Sequence, residues 1–127
     1  MSVGEFDPNQ AAENLTEELV ETLCEAVKGE DLTLDRTEVS RYALIVKHPG
    51  WKNYALELGP EKLKMLIKLF TLGEEKYSEW SSGEKSPVIL FVRELKKRNL
   101  FDESMNDWIK RHTTNKFLPH GSLMDLL

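Results

Sequence analysis

Between Pro60 and Trp80 the side chains leave only a thin polar strip, and that segment governs what the rest of the chain must do. Proline suits a first helical turn, so Pro60 marks a helix start. Leu63, Met65, Leu66, Ile67, Leu69, Phe70 and Leu72 then cover most of the circumference, with Glu61, Lys64, Lys68 and Glu75 along the remaining stripe. A helix this apolar must be enclosed by other elements. The segment 60–80 is therefore expected at the centre of the fold.

The enclosing elements also read as helices. Ala12, Leu15, Leu19, Leu23 and Val27 recur at three- and four-residue steps, which predicts a helix over about 10–28 that stops at Lys28-Gly29. Glu13, Glu17, Glu18, Glu21 and Glu25 form its solvated face. Asp35 and Glu38, three apart, form a capping box for a second helix, whose stripe is Val39, Tyr42, Ala43 and Val46 and which ends before Pro49-Gly50. "WKNYALEL" makes a short helix that stops at Gly59. "SSGEK" is a loop, and Ser86-Pro87 is a cap followed by a proline at the first helical position. "VILFV" alone could pass for a buried strand. Leu95 continues it at helical spacing into "RELKKR", and no partner strand is apparent, so a helix over 87–98 is expected. After the turn Asn99-Leu100-Phe101, Asp102 caps a last helix with a stripe of Met105, Trp108, Ile109 and His112, ending near Thr113. The expected fold is all-α: one domain over 1–127, a bundle of about five helices plus a short one. Residues 1–9 are expected to be disordered, and 114–127 to form a tail docked on the bundle or on a partner.

Composition and charge narrow the classes of function. A chain of 127 residues with 40% hydrophobic side chains can bury a core without staples. The single cysteine, Cys24, has no internal disulfide partner, and the start "MSVGEFDPNQ" has neither the basic region nor the apolar run of a signal peptide. No run of about eighteen apolar residues is present to span a membrane. A reducing cytoplasm is the expected setting. Asn14-Leu15-Thr16 matches the glycosylation sequon, which without secretion is a chance match. The net charge of −5 is unevenly spread. Residues 1–40 carry eleven acidic against two basic groups, residues 41–84 six against seven, and residues 85–127 five against eight, for nets of −9, +1 and +3. Such asymmetry implies either that the first and the last helices are neighbours or that they face different partners.

No catalytic signature stands out. His48, His112 and His120 are the only histidines. None is spaced four residues from another, and no Glu-x-x-His occurs, so neither a metal nor another cofactor is expected. Cys24 lies beside an apolar stripe with no basic neighbour in sequence to lower its pKa, which suits a core filler better than a nucleophile. There is no Gly-x-Ser-x-Gly elbow and no phosphate-binding glycine loop. Glu74 and Glu75 are adjacent on a helix, hence about 100° apart, and do not face one another as an acid/base dyad. An enzyme whose site is assembled from distant residues is the third-ranked expectation.

The apolar end of the chain points to binding. "LPHGSLMDLL" places four leucines and a methionine where soluble chains usually fray. Ser122 and Asp125 could start one helical turn, but a single turn does not hold itself in water, so the leucines are expected to dock. Three hosts remain open: the domain's own helices, a second copy by exchange, or another protein. Lys96, Lys97, Arg98, Lys110 and Arg111 form a basic flank on the last two helices. Trp51 and Tyr54, between Pro-Gly and Gly-Pro, are either interface anchors or a lid over the core, and Trp80 carries the same alternatives. The expected function is thus a small adaptor or regulatory domain. It would bind another protein, or itself as a homodimer, through Phe117, Leu118, Leu123, Leu126 and Leu127 with the basic flank. The alternative is nucleic-acid binding through a helix–turn–helix-like pair over 87–113. Against it stand a pI near 5.3 and the acids Asp102, Glu103 and Asp107 at the end of the helix that would meet DNA.

Overall fold

The computed structural model describes residues 13–121. Among these, six helices run in chain order: α1 (Glu17–Glu25), α2 (Arg36–Ala43), α3 (Trp51–Glu57), α4 (Pro60–Lys76), α5 (Pro87–Lys97) and α6 (Glu103–His112). A two-stranded antiparallel hairpin, β1 (Val27–Lys28) and β2 (Asp31–Leu32), lies between α1 and α2. The chain is mostly helical, as its spacing requires. The expected disordered start (1–9), the Ser122–Asp125 turn, and Leu123, Leu126 and Leu127 lie outside the described residues.

The central element is α4. Leu63, Leu66, Ile67 and Leu69 have no exposed surface, and burial of each such side chain contributes about 1.5–3 kcal/mol. Helix α5 packs most extensively on α4, and α1, α6 and the hairpin lie against it as well. The aromatic centre joins three of these elements: the Trp51 ring meets Phe70 edge-on at 5.6 Å and Phe91 at 5.3 Å. Prolines open both α4 and α5, and the Asp35–Glu38 capping box forms in full at the start of α2.

Four boundaries differ from the spacing-based expectation. Helix α2 ends at Ala43, well short of Pro49: residues 44–47 form turns, so Val46, assigned to its stripe, lies beyond the helix though still buried. The first helix is shorter than 10–28 because Thr16 caps it, accepting a hydrogen bond from the Leu19 amide. At its other end Gly29, with φ +65°, opens a tight turn. Val27 then pairs with Leu32 and both face the core, so two residues assigned to the helix belong to a hairpin whose partner strand is only two residues long. Helix α4 ends at Lys76 instead of Trp80. Tyr77 is extended, a 3₁₀ turn follows over Ser78–Trp80, and the Trp80 indole folds back over Gly73. Trp80 is fully buried and donates from Nε1 to the Val39 carbonyl at 2.9 Å. It is a core residue and not a surface anchor.

The acidic front is matched mainly by the middle of the chain: Glu13 pairs with Arg41, Glu21 with Lys62 at 3.2 Å, and Asp31 with Lys76. Among the described residues, Glu30 reaches a C-terminal helix, accepting from the Trp108 Nε1 at 3.3 Å and lying 3.4 Å from the His112 Nε2.

Candidate functional site

The segment after α6 is fastened to the end of α4. Glu75 Oε2 accepts from the Thr114 amide at 2.8 Å and from its hydroxyl at 2.9 Å. Glu74 accepts from Asn115 Nδ2 at 3.1 and 3.2 Å and from the Ser82 amide at 2.8 Å. Asn115 also donates to the Gly83 carbonyl at 3.0 Å, and its Oδ1 accepts from the Phe117 amide at 2.9 Å. The two adjacent carboxylates bond different residues of the same segment, Glu75 to Thr114 and Glu74 to Asn115. They serve as anchors for the tail and for the 82–83 loop. Leu118 is buried and Phe117 packs half-buried on the core. Residues 113–121 thus lie on the domain's own body, while the leucines at 123, 126 and 127 fall outside the described residues.

Where this segment ends, it meets the basic flank. Lys96 contacts the His120 Nδ1 and lies 5.8 Å from the Phe101 ring, while the His120 ring stands edge-on to Phe101 at 6.1 Å. Burial, then Lys96 and Lys110, hold the His120 pKa below its ordinary value, so the imidazole is neutral and Nδ1 accepts from the ammonium. Burial and Arg93 likewise lower Lys96. Leu100, next to Phe101, keeps 42% of its surface exposed. Lys97 projects from α5 with its Nζ 3.5 Å from Glu94. Lys110 and Arg111 border a shallow depression of about 490 Å³ with Ser104 and Asp107.

Besides the buried Leu118, two of the expected contact residues are structural instead. Arg98 is turned inward: it bonds Glu94 from Nε at 2.8 Å and donates to the carbonyls of Leu58 at 2.7 Å, Ala55 at 3.2 Å and Leu56 at 3.2 Å. Its guanidinium caps the end of α3, where of these carbonyls Ala55 alone has a backbone donor, the Leu58 amide at 3.4 Å, among the described residues. Trp51 is fully buried, with Nε1 donating to the Ile45 carbonyl at 2.8 Å. Tyr54, the other half of that pair, remains partly exposed and lines an open groove of about 480 Å³ with Glu17, Glu57, Leu58 and Pro60.

The remaining polar candidates have local structural partners. His48 Nδ1 accepts from the Gly50 amide at 2.9 Å, and His112 stacks on Trp108 with ring centroids 4.2 Å apart. Burial pushes the Cys24 thiol up to about 11, so it is protonated and a poor nucleophile at neutral pH. Among the described residues no group of three His, Cys, Asp or Glu side chains is placed to hold a metal ion, and no helix is long and apolar enough to cross a membrane. The helix–turn–helix-like pair is also looser than its sequence implies. Helices α5 and α6 each pack on α4 more than on one another, and Asp102 caps α6 by accepting from the Met105 amide at 2.9 Å. No protein-family model, curated protein or solved structure matches the chain.

The anchoring role of Glu74, Glu75 and Asn115 and the capping role of Arg98 were missed in sequence. The bonds that fasten Thr114 to Glu75, Asn115 to Glu74 and Arg98 to Ala55 span 39, 41 and 43 residues, beyond any local pattern. Only the run Thr113-Thr114-Asn115, rich in side chains that bond local backbone, carries a signal that the chain turns and binds there.

Proposed function

We propose that this chain is a small helical protein-interaction domain of adaptor or regulatory type. Its contact surface is the basic flank of α5 and α6 where it meets His120. The observation that carries this reading is the contact of Lys96 with His120, beside Phe101 and the exposed Leu100, with Lys110 adding positive charge that acts on the same imidazole. A cationic rim around an apolar centre suits a protein partner that presents acidic groups around an apolar anchor. Lys97 and Arg111 extend the rim. Leu123, Leu126 and Leu127 follow directly in the chain and would enlarge the apolar part; Arg98, half-buried and committed as a cap on α3, and the buried Trp51 and Leu118 do not belong to it. A homodimer is the same proposal with a second copy as partner. The proposed setting is the cytoplasm, on the ground of a sequence with one cysteine.

The test is co-purification of partners from the native cell at two salt concentrations, using the natural sequence, Lys96→Glu/Lys110→Glu, and a chain ended after Gly121. The proposal expects a protein partner that the double charge reversal releases and the truncation weakens. Retention by both variants contradicts it. Recovery of nucleic acid, with affinity falling steeply as salt rises, would instead favour the alternative reading.

A further inference from the structure

The groove beside Tyr54 has a character opposite to that of the basic flank. Its floor is apolar, made by the Tyr54 ring, Leu58 and Pro60 where α3 turns into α4. Its rim is acidic: Glu17 comes from α1, Glu57 from the end of α3 and Glu61 from the first turn of α4. None of these three carboxylates has an ion-pair partner among the described residues. The one lysine on the rim, Lys62, is committed to Glu21 at 3.2 Å. Gly59 also lines the groove, and a side chain added there would meet nothing within 4 Å. Burial first, and then Glu17 and Glu57, raise the Tyr54 pKa, which places its phenol within the field of both carboxylates.

We propose that this groove docks a basic peptide segment of another protein, seating one apolar side chain on Tyr54 and Leu58 while flanking lysines or arginines meet Glu17, Glu57 and Glu61. Charge complementarity selects that occupant. The chain's own segment 1–12 carries Glu5 and Asp7 and no basic side chain, so like charge opposes its binding there. The segment after Gly121 carries Asp125 and likewise no basic residue. The proposal rests on the reading of the chain as a binding module, but on none of the basic-flank or tail residues.

The experiment is an amide-resolved NMR titration of the full chain with acetyl-Lys-Lys-Leu-Phe-Lys-Lys-amide. Saturable shifts are expected at Tyr54, Glu57, Leu58 and Gly59. Glu57→Gln/Glu61→Gln, two exposed positions, should weaken binding about fivefold, the usual worth of two exposed charge pairs. Lys96→Glu/Lys110→Glu should leave it unchanged, which keeps this proposal separable from the basic-flank reading. Acetyl-hexalysine-amide should bind more weakly because it lacks the apolar anchor. No shift at millimolar peptide, shifts confined to other residues, or equal binding of hexalysine would overturn the proposal. So would movement of the same amides on dilution of the protein alone, which would make a second copy the occupant.

Discussion

A methyl group on Gly73 has no room: it would stand 2.2 Å from the Trp80 ring. One missing side chain thus lets the chain after α4 fold back and seal the core with an indole. Gly73→Ala should destabilise the protein by about 3 kcal/mol, the upper end of ordinary overpacking, read as a lower urea midpoint at unchanged slope. Arg98 acts at similar range through polar contacts. It satisfies three carbonyls at the end of α3 and pairs with Glu94, whose pKa it holds down. Arg98→Ala should cost about 2 kcal/mol, and Arg98→Lys should recover little of it, because an ammonium cannot fork across three acceptors. Thr71 shows the reverse case. Its buried hydroxyl has no hydrogen-bond partner among the described residues, so Thr71→Val should leave stability unchanged or raise it by about 1 kcal/mol in the same denaturation series.

At the scale of elements, the helices were legible wherever a local signal carried them. Asp35 with Glu38, Pro60, Ser86-Pro87 and Asp102 each mark a start that the structure uses. The hairpin was not legible, because two-residue strands have no periodicity and Val27 continues the helical stripe of Leu19 and Leu23. The end of α4 was hidden for a related reason: Trp80 is apolar at helical spacing, and only its contact with Gly73 shows that the backbone has turned. For the candidate site, the basic residues could be read from the sequence. Their division between an exposed flank and an inward cap at Arg98 depends on where α3 ends, which no local pattern near residue 98 records. The tail is the element with a distinct pH response. Neutral His120 is favoured in the fold, whereas the unfolded chain binds a proton more readily. Its contribution is therefore complete above the ordinary value of 6.5 and declines as pH falls through that value. The carboxylates held low by their partners, Glu13 and Glu94, lose their contribution only from about 4.5 downward. Stability measured between pH 7.5 and 5 should therefore fall in the natural sequence and stay flatter in His120→Asn.

For the whole molecule, α4 organises both the core and the surface. Its apolar faces receive α1, α5, α6 and the hairpin, and its last two carboxylates hold the chain that follows α6. The same helix thereby sets where the tail can lie and which side of α5 and α6 remains open. The proposed binding surfaces occupy different regions of this frame, the basic flank near His120 and the acid-rimmed groove near Tyr54. Their opposite charge favours two kinds of partner over one extended footprint. The basic flank depends on residues 113–121 being part of the folded body, since their detachment would expose Leu118 and free His120 from Lys96, whereas no tail residue lines the Tyr54 groove. Amide hydrogen exchange of the monomeric protein at neutral pH tests that dependence most directly. The amides of Thr114, Leu118 and Gly121, bonded to Glu75, Asn115 and Phe117, should be protected well beyond free-chain rates, and Glu75→Gln should release Thr114 first. Exchange of all three at the rate of an unstructured peptide would contradict the account.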